Sequence, residues 1–147
     1  MERKYKLLIV DDDKDILTEY GDYFRQQGFI VEVAHNGTEG LEKLRPGKDF
    51  DVALLDFNMP DMNGIELTRQ AYQVVGADAD IIIWSEPEEY DKYDAIEAIR
   101  LGVCDWFEKS CLDKPKFFER VKKVAQGVAL DEMARIFSLL SKEDFKW

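Results

Sequence analysis

Residues 52–64 read VALLDFNMPDMNG. Four apolar residues, Val52 to Leu55, run unbroken into Asp56, and a Pro-x-x-x-Gly turn from Pro60 to Gly64 follows. Beyond it, Ile65, Thr68, Ala71, Tyr72 and Val75 recur at helical spacing. A run with no polar face suits a strand covered on both sides, as in a parallel sheet. The same grammar repeats outward along the chain. LLIV (7–10) leads into Asp11 and Asp12, IIIW (81–84) into Ser85, and DWFE (105–108) into Lys109. If these runs are parallel strands of one sheet, three carboxylates, a hydroxyl and an ammonium converge at its C-terminal edge.

Five strand-like runs, residues 6–10, 29–34, 51–55, 80–84 and 105–108, alternate with helical patterns. Ile16, Leu17, Tyr20, Tyr23 and Phe24 form one apolar stripe; Ala95, Ile96 and Ile99 form another, and Phe117, Val121 and Val124 a third. Gly28, Gly76 and Gly102 stand where left-handed C-caps end helices, and Asn36-Gly37 opens a short second helix that Pro46-Gly47 ends. This is a (βα)5 α/β pattern, and right-handed crossovers place helices on both faces of the sheet. A cleft shared by Asp11 and Asp56 needs the first and third strands adjacent, which fits the flavodoxin-like order 2-1-3-4-5. A sixth helical segment, about 130–141, carries Leu130, Met133, Phe137 and Leu140 on one stripe, so the expected division is one domain over 1–126 and a helical extension or linker over 127–147.

The 147 residues have length for one real core, and 46% hydrophobic content is ordinary for a globular chain. A formal net charge of −11 argues against a nucleic-acid surface. No apolar run of about 18 residues occurs, and MERK (1–4) leads directly into a strand, so a soluble cytoplasmic protein with no membrane partner is expected. Cys104 and Cys111 lack metal-type spacing and read as free thiols.

Each strand-end residue supports two readings. Asp11, Asp12 and Asp13 can cap the first helix, but one Asp suffices, and that role goes to Asp13. Two further side-by-side carboxylates repel unless a cation such as Mg²⁺ compensates them. Asp56 can be a plain strand-ending Asp before a turn, or an exposed nucleophile that forms a high-energy acyl phosphate. Ser85-Glu86-Pro87-Glu88 fits a capping box, a role compatible with contact to a ligand. Lys109 can be a surface lysine, or a point charge facing the carboxylates. Trp106 reads as a core or interface aromatic, and His35 as a solvated loop residue.

Together VDD, DFNMPDMNG, a strand-ending Ser and a strand-ending Lys, in that order, resemble the response-regulator receiver domain of two-component signalling over residues 5 to about 126. The resemblance implies a phosphorylation-dependent switch rather than a conventional enzyme. Asp56 is then the phosphoacceptor, and Asp11, Asp12, Asp56 and the main-chain carbonyl of Asn58 bind Mg²⁺, with Mn²⁺ as the alternative ion. Ser85 contacts the phosphoryl group, Lys109 pairs with it, and Trp106 takes the place of the family's aromatic switch residue. Phosphorylation is expected to draw Ser85 inward and to bury Trp106 further. Implied partners are a sensor histidine kinase or phosphotransfer protein, an unidentified downstream protein, and a homodimer as a candidate assembly. Slow self-dephosphorylation is also implied.

The chain departs from the family pattern in four places. Ser110 follows Lys109 where proline is usual, Glu86 replaces a small residue after Ser85 and could hinder access to Asp56, the Ser85–Lys109 stretch is about two residues longer than usual, and no output domain is expected to follow. Two alternatives compete. A haloacid-dehalogenase-type phosphohydrolase would make Asp11 its nucleophile within Asp11-x-Asp13, but it wants Thr or Val where Asp15 stands, and a substrate-capping lid has no room. A degenerate receiver would act only through protein contacts. A flavin-binding flavodoxin is disfavoured by the acidic residues 11–15.

Overall fold

A computed structural model describes residues 3–127. The stripe from Leu130 to Leu140 therefore lies outside the described residues. Five parallel strands, β1 (Lys6–Val10), β2 (Ile30–Ala34), β3 (Val52–Asp56), β4 (Asp80–Ser85) and β5 (Asp105–Glu108), form one sheet in the order β2-β1-β3-β4-β5. Five helices connect or follow them: α1 (Lys14–Gln26), α2 (Gly37–Lys43), α3 (Gly64–Gln70), α4 (Lys92–Leu101) and α5 (Lys114–Ala125). The fold is the flavodoxin-like one that the alternating pattern predicts.

Alternation along each strand explains the unbroken apolar runs, because successive side chains serve opposite faces. Leu8, Val10, Ala53, Leu55, Ile81 and Ile83 pack with Leu67, Ala71, Ala95 and Ala98. Leu7, Ile9, Val52, Leu54, Ile82 and Trp84 pack on the opposite side with Leu17, Phe24, Phe117 and Val121. Aromatic edges dominate that second core: Phe24 meets Phe117 at 5.8 Å, and Phe107 meets Phe117 at 4.7 Å.

Local signals set the helix ends. Asp13 caps α1 by accepting from the N–H groups of Asp15 and Ile16, and Asn36 caps α2 by accepting from that of Glu39. Gly28, Gly76 and Gly102 all adopt positive φ, as chain reversal after a helix requires. The capping box after β4 differs from expectation by one residue. Ser85 is the last residue of β4, and Glu86 is the N-cap of a short 3-10 turn (Pro87–Glu89), its N–H donating to the Glu89 carboxylate at 2.7 Å. The strand hydrogen-bonds as far as Ser85, so the turn starts later. The third helix differs too: α3 loosens into a π-helical turn (Ala71–Val75), which leaves Val75 only half-buried. Thr68 stays buried there by donating its hydroxyl to the Gly64 carbonyl at 2.7 Å.

Candidate phosphoacceptor site

Register brings the acids together. Val10 lies opposite Leu55 in the β1–β3 pairing, so Asp11 and Asp56 emerge side by side. On the other side of β3, Asp56 pairs with Trp84, and Ser85 pairs with Glu108 just before Lys109. The turn after β3 is held close by Gly64, where a Cβ would lie 2.8 Å from the Asp56 carbonyl oxygen; only glycine lets the loop pack so tightly on the strand end. Asp61, in the same loop, accepts from the N–H groups of Gly37 and Thr38 at 3.0 and 2.8 Å and so ties the loop to the start of α2.

Asp11 is fully buried, Asp56 nearly so, and Asp12 is exposed. One carboxylate oxygen from each lies within 4.8 Å of the others, the spacing of a shared cation site. Lys109 bridges the two buried acids, its Nζ donating to Asp11 Oδ2 at 2.8 Å and to Asp56 Oδ1 at 3.0 Å. The same ammonium sits 5.2 Å from the Trp84 ring centroid. Asp11 also accepts from the Asp13 N–H at 2.9 Å, and Asp56 from the Asn58 N–H at 3.4 Å.

One ammonium cannot fully offset two buried carboxylates with a third beside them. Burial, then the charge of Asp11, pushes Asp56 up to about 7, with Lys109 acting against both. Burial likewise raises Asp11 against the opposing effect of Lys109. For Lys109, burial favours the neutral amine, but hydrogen bonds and charges from Asp11 and Asp56 outweigh it and hold the pKa above its ordinary value. The donor set is hard oxygen with excess negative charge, which fits a small divalent cation.

Ser85 is fully buried at the end of β4 and accepts a hydrogen bond from Trp106 Nε1 at 2.8 Å. Trp106 is itself fully buried, and its ring fills the space beside Ser85. The indole reaches Ser85 because its donor lies on the side of the ring, and Phe57 and Tyr90 flank it at centroid distances of 5.6 and 4.6 Å. Tyr90 escaped sequence reasoning, since a single half-buried aromatic after a Pro-Glu-Glu turn carries no pattern. The buried Asp105 also escaped it. Its partner Arg120, on α5, donates to it at 3.0 Å across 15 positions of chain. His35 is exposed as expected and contacts Glu39.

With this fold and this acidic edge, the chain belongs to the response regulator receiver domain family, whose signature covers residues 7–122. It is 34% identical over 128 residues to a transcriptional regulatory protein CpxR homolog of Haemophilus influenzae, covering 84% of this chain and 52% of that one. It is 32% identical over 103 residues to the response regulator SaeR of Staphylococcus epidermidis, covering 70% and 43%. The chain thus spans about half the length of the curated relatives it matches. Among solved structures it is similar to a CheY-like receiver domain protein from Methanospirillum hungatei (TM-score 0.77, 26% identity, 85% of this chain and 96% of that one). It is also similar to Vibrio cholerae chemotaxis protein CheY4 (TM-score 0.72, 26% identity, 83% and 99%). Receiver domains of this family are signalling modules of two-component systems rather than conventional enzymes. Among the described residues no helix is long and apolar enough to cross a membrane.

Proposed function

We propose that this chain is a cytoplasmic phosphorylation-dependent switch that takes a phosphoryl group on Asp56 from a histidine kinase or a phosphotransfer protein. The observation that carries the reading is the cluster itself: Asp11, Asp12 and Asp56 within 4.8 Å, with Lys109 bonded to both buried acids. An Asp56 carboxylate oxygen attacks phosphorus, and the bond from phosphorus to the donor's imidazole nitrogen breaks as the new O–P bond forms. The imidazole leaves with that electron pair and takes a proton from solvent. Asp11, Asp12, Asp56 and the Asn58 carbonyl would hold Mg²⁺ or Mn²⁺, which when bound would supply positive charge to the phosphoryl oxygens.

The chain's own groups do the rest. Lys109 lies close enough to Asp56 to pair with the added charge, and the Ser85 hydroxyl can donate to one phosphoryl oxygen. Residues 1–126 form the receiver unit and 127–147 an extension or linker. With a net charge of −11, the direct partner of residues 1–147 is a protein rather than nucleic acid, and a homodimer is a candidate assembly. The family match lends no support to the dehalogenase-type alternative, which requires Asp11 as nucleophile. Incubation with acetyl phosphate and Mg²⁺, followed by intact-mass measurement, tests the assignment. Asp56→Asn should abolish the phosphoryl mass gain. Equal labelling of this variant and wild type would refute it.

A further inference from the structure

We infer that Trp106 is a positioning residue for Ser85: its indole N–H holds the Ser85 hydroxyl in place before any phosphoryl group arrives. The inference rests on the reading that Asp56 is the phosphoacceptor. A serine hydroxyl offers one donor hydrogen and two acceptor lone pairs, whereas an indole N–H can only donate. The 2.8 Å contact from Trp106 Nε1 to Ser85 Oγ therefore occupies a lone pair and leaves the Ser85 hydrogen available to donate elsewhere. Both residues are fully buried, so water does not compete for either partner.

The ring has little room to leave. Tyr90 packs 4.6 Å and Phe57 5.6 Å from it, centroid to centroid, and Phe57 is the residue directly after Asp56. The Phe57 N–H in turn donates to the Trp84 carbonyl at 2.9 Å, tying the two strand ends together one residue before Ser85. Phenylalanine has no donor at all, and tyrosine carries its donor at the far end of the ring, so this bond belongs to tryptophan. Ser85 is thus a preorganised donor for charge that develops on the phosphoryl oxygens, and the Trp106 ring stays inward through the phosphorylation cycle.

The full chain tests this in two measurements. Solvent exchange of the indole N–H groups is followed by NMR, with the Trp106 signal assigned as the one missing in Trp106→Phe. Its exchange should be slow in the unmodified protein, remain slow after phosphorylation, and speed up at least tenfold in Ser85→Ala. Unchanged exchange in Ser85→Ala, or exchange that becomes fast on phosphorylation of wild type, would overturn the proposal.

The second measurement is the rate of Asp56 labelling by acetyl phosphate with Mg²⁺. The Asp56 oxygen attacks phosphorus and acetate leaves with the electrons of the broken P–O bond, while Ser85 donates a hydrogen bond and transfers no proton. Trp106→Phe should slow labelling about fivefold, the effect of one net hydrogen bond, and should add nothing in a Ser85→Ala background. Equal slowing by Trp106→Phe in both backgrounds would mean that the ring acts only by packing, and would overturn the positioning role. A wild-type chain that gains no phosphoryl mass instead overturns the Asp56 reading and the catalytic consequence with it, whereas the exchange measurement judges the Trp106–Ser85 bond on its own.

Discussion

In the metal-free protein, stability should fall as pH rises from about 4 to about 7, and the buried acids Asp56 and Asp11, both raised by burial, should be the main cause. Burial and the neighbouring Asp11 raise Asp56 from 3.8 to about 7. An unfolded Asp titrates near 3.9, so between these values the folded protein holds a proton that the unfolded chain has lost. The native state binds more protons there, and stability drops by about 1.4 kcal/mol per pH unit. From pH 5 to pH 7 the loss is about 2–3 kcal/mol, or roughly 10 °C in melting temperature for a domain of this size. Glu39 and Asp61 have lowered values, so their contribution grows near pH 4, below this window.

The assay is thermal or urea unfolding in a chelator across pH 5 to 8, comparing wild type with Asp56→Asn, which keeps the shape and removes the charge. The difference between the two should shift by the stated amount in favour of Asp56→Asn as pH rises. Mg²⁺ should then stabilise wild type more at pH 8 than at pH 5, because protons compete for its ligands. Parallel pH profiles for wild type and Asp56→Asn would refute the argument that repulsion and burial at this acid govern the metal-free fold.

Lys109→Met should destabilise the metal-free protein by about 3–5 kcal/mol, since it leaves Asp11 and Asp56 buried without their partner, and Mg²⁺ should restore part of the loss; urea unfolding with and without Mg²⁺ checks both halves. Glu86→Ala should label faster with acetyl phosphate, by up to about fivefold at low salt, because a carboxylate near the cleft opposes an anionic donor by roughly 1 kcal/mol. A rate independent of ionic strength and of the substitution would show that Glu86 faces away. Cys104, pushed up to about 12 by burial and the nearby Asp80, should resist alkylation at neutral pH in the native state and react on unfolding; a mass-resolved iodoacetamide time course reads this directly.

Much of this protein was legible in one dimension because its signals are local. The unbroken runs at Leu7–Val10, Val52–Leu55 and Ile81–Trp84 announce strands covered on both faces, and Asp13, Asn36, Gly28 and Gly102 mark helix ends through hydrogen bonds and backbone angles within a few residues of themselves. The order of the strand-ending Asp, Asp, Ser and Lys also needed no coordinates. What joins distant segments needed the folded chain. The β1–β3 register puts Asp11 beside Asp56, and Lys109 bonds to Asp11 across 98 positions. Continued strand pairing moved the cap after β4 from Ser85 to Glu86. The apolar stretch read Trp106 as a core or interface aromatic, but only the packing of Tyr90 and Phe57 around it turns its N–H onto Ser85. A pattern along the chain records which face a residue serves, whereas the direction of a donor depends on neighbours that the sheet brings together from remote parts of the sequence.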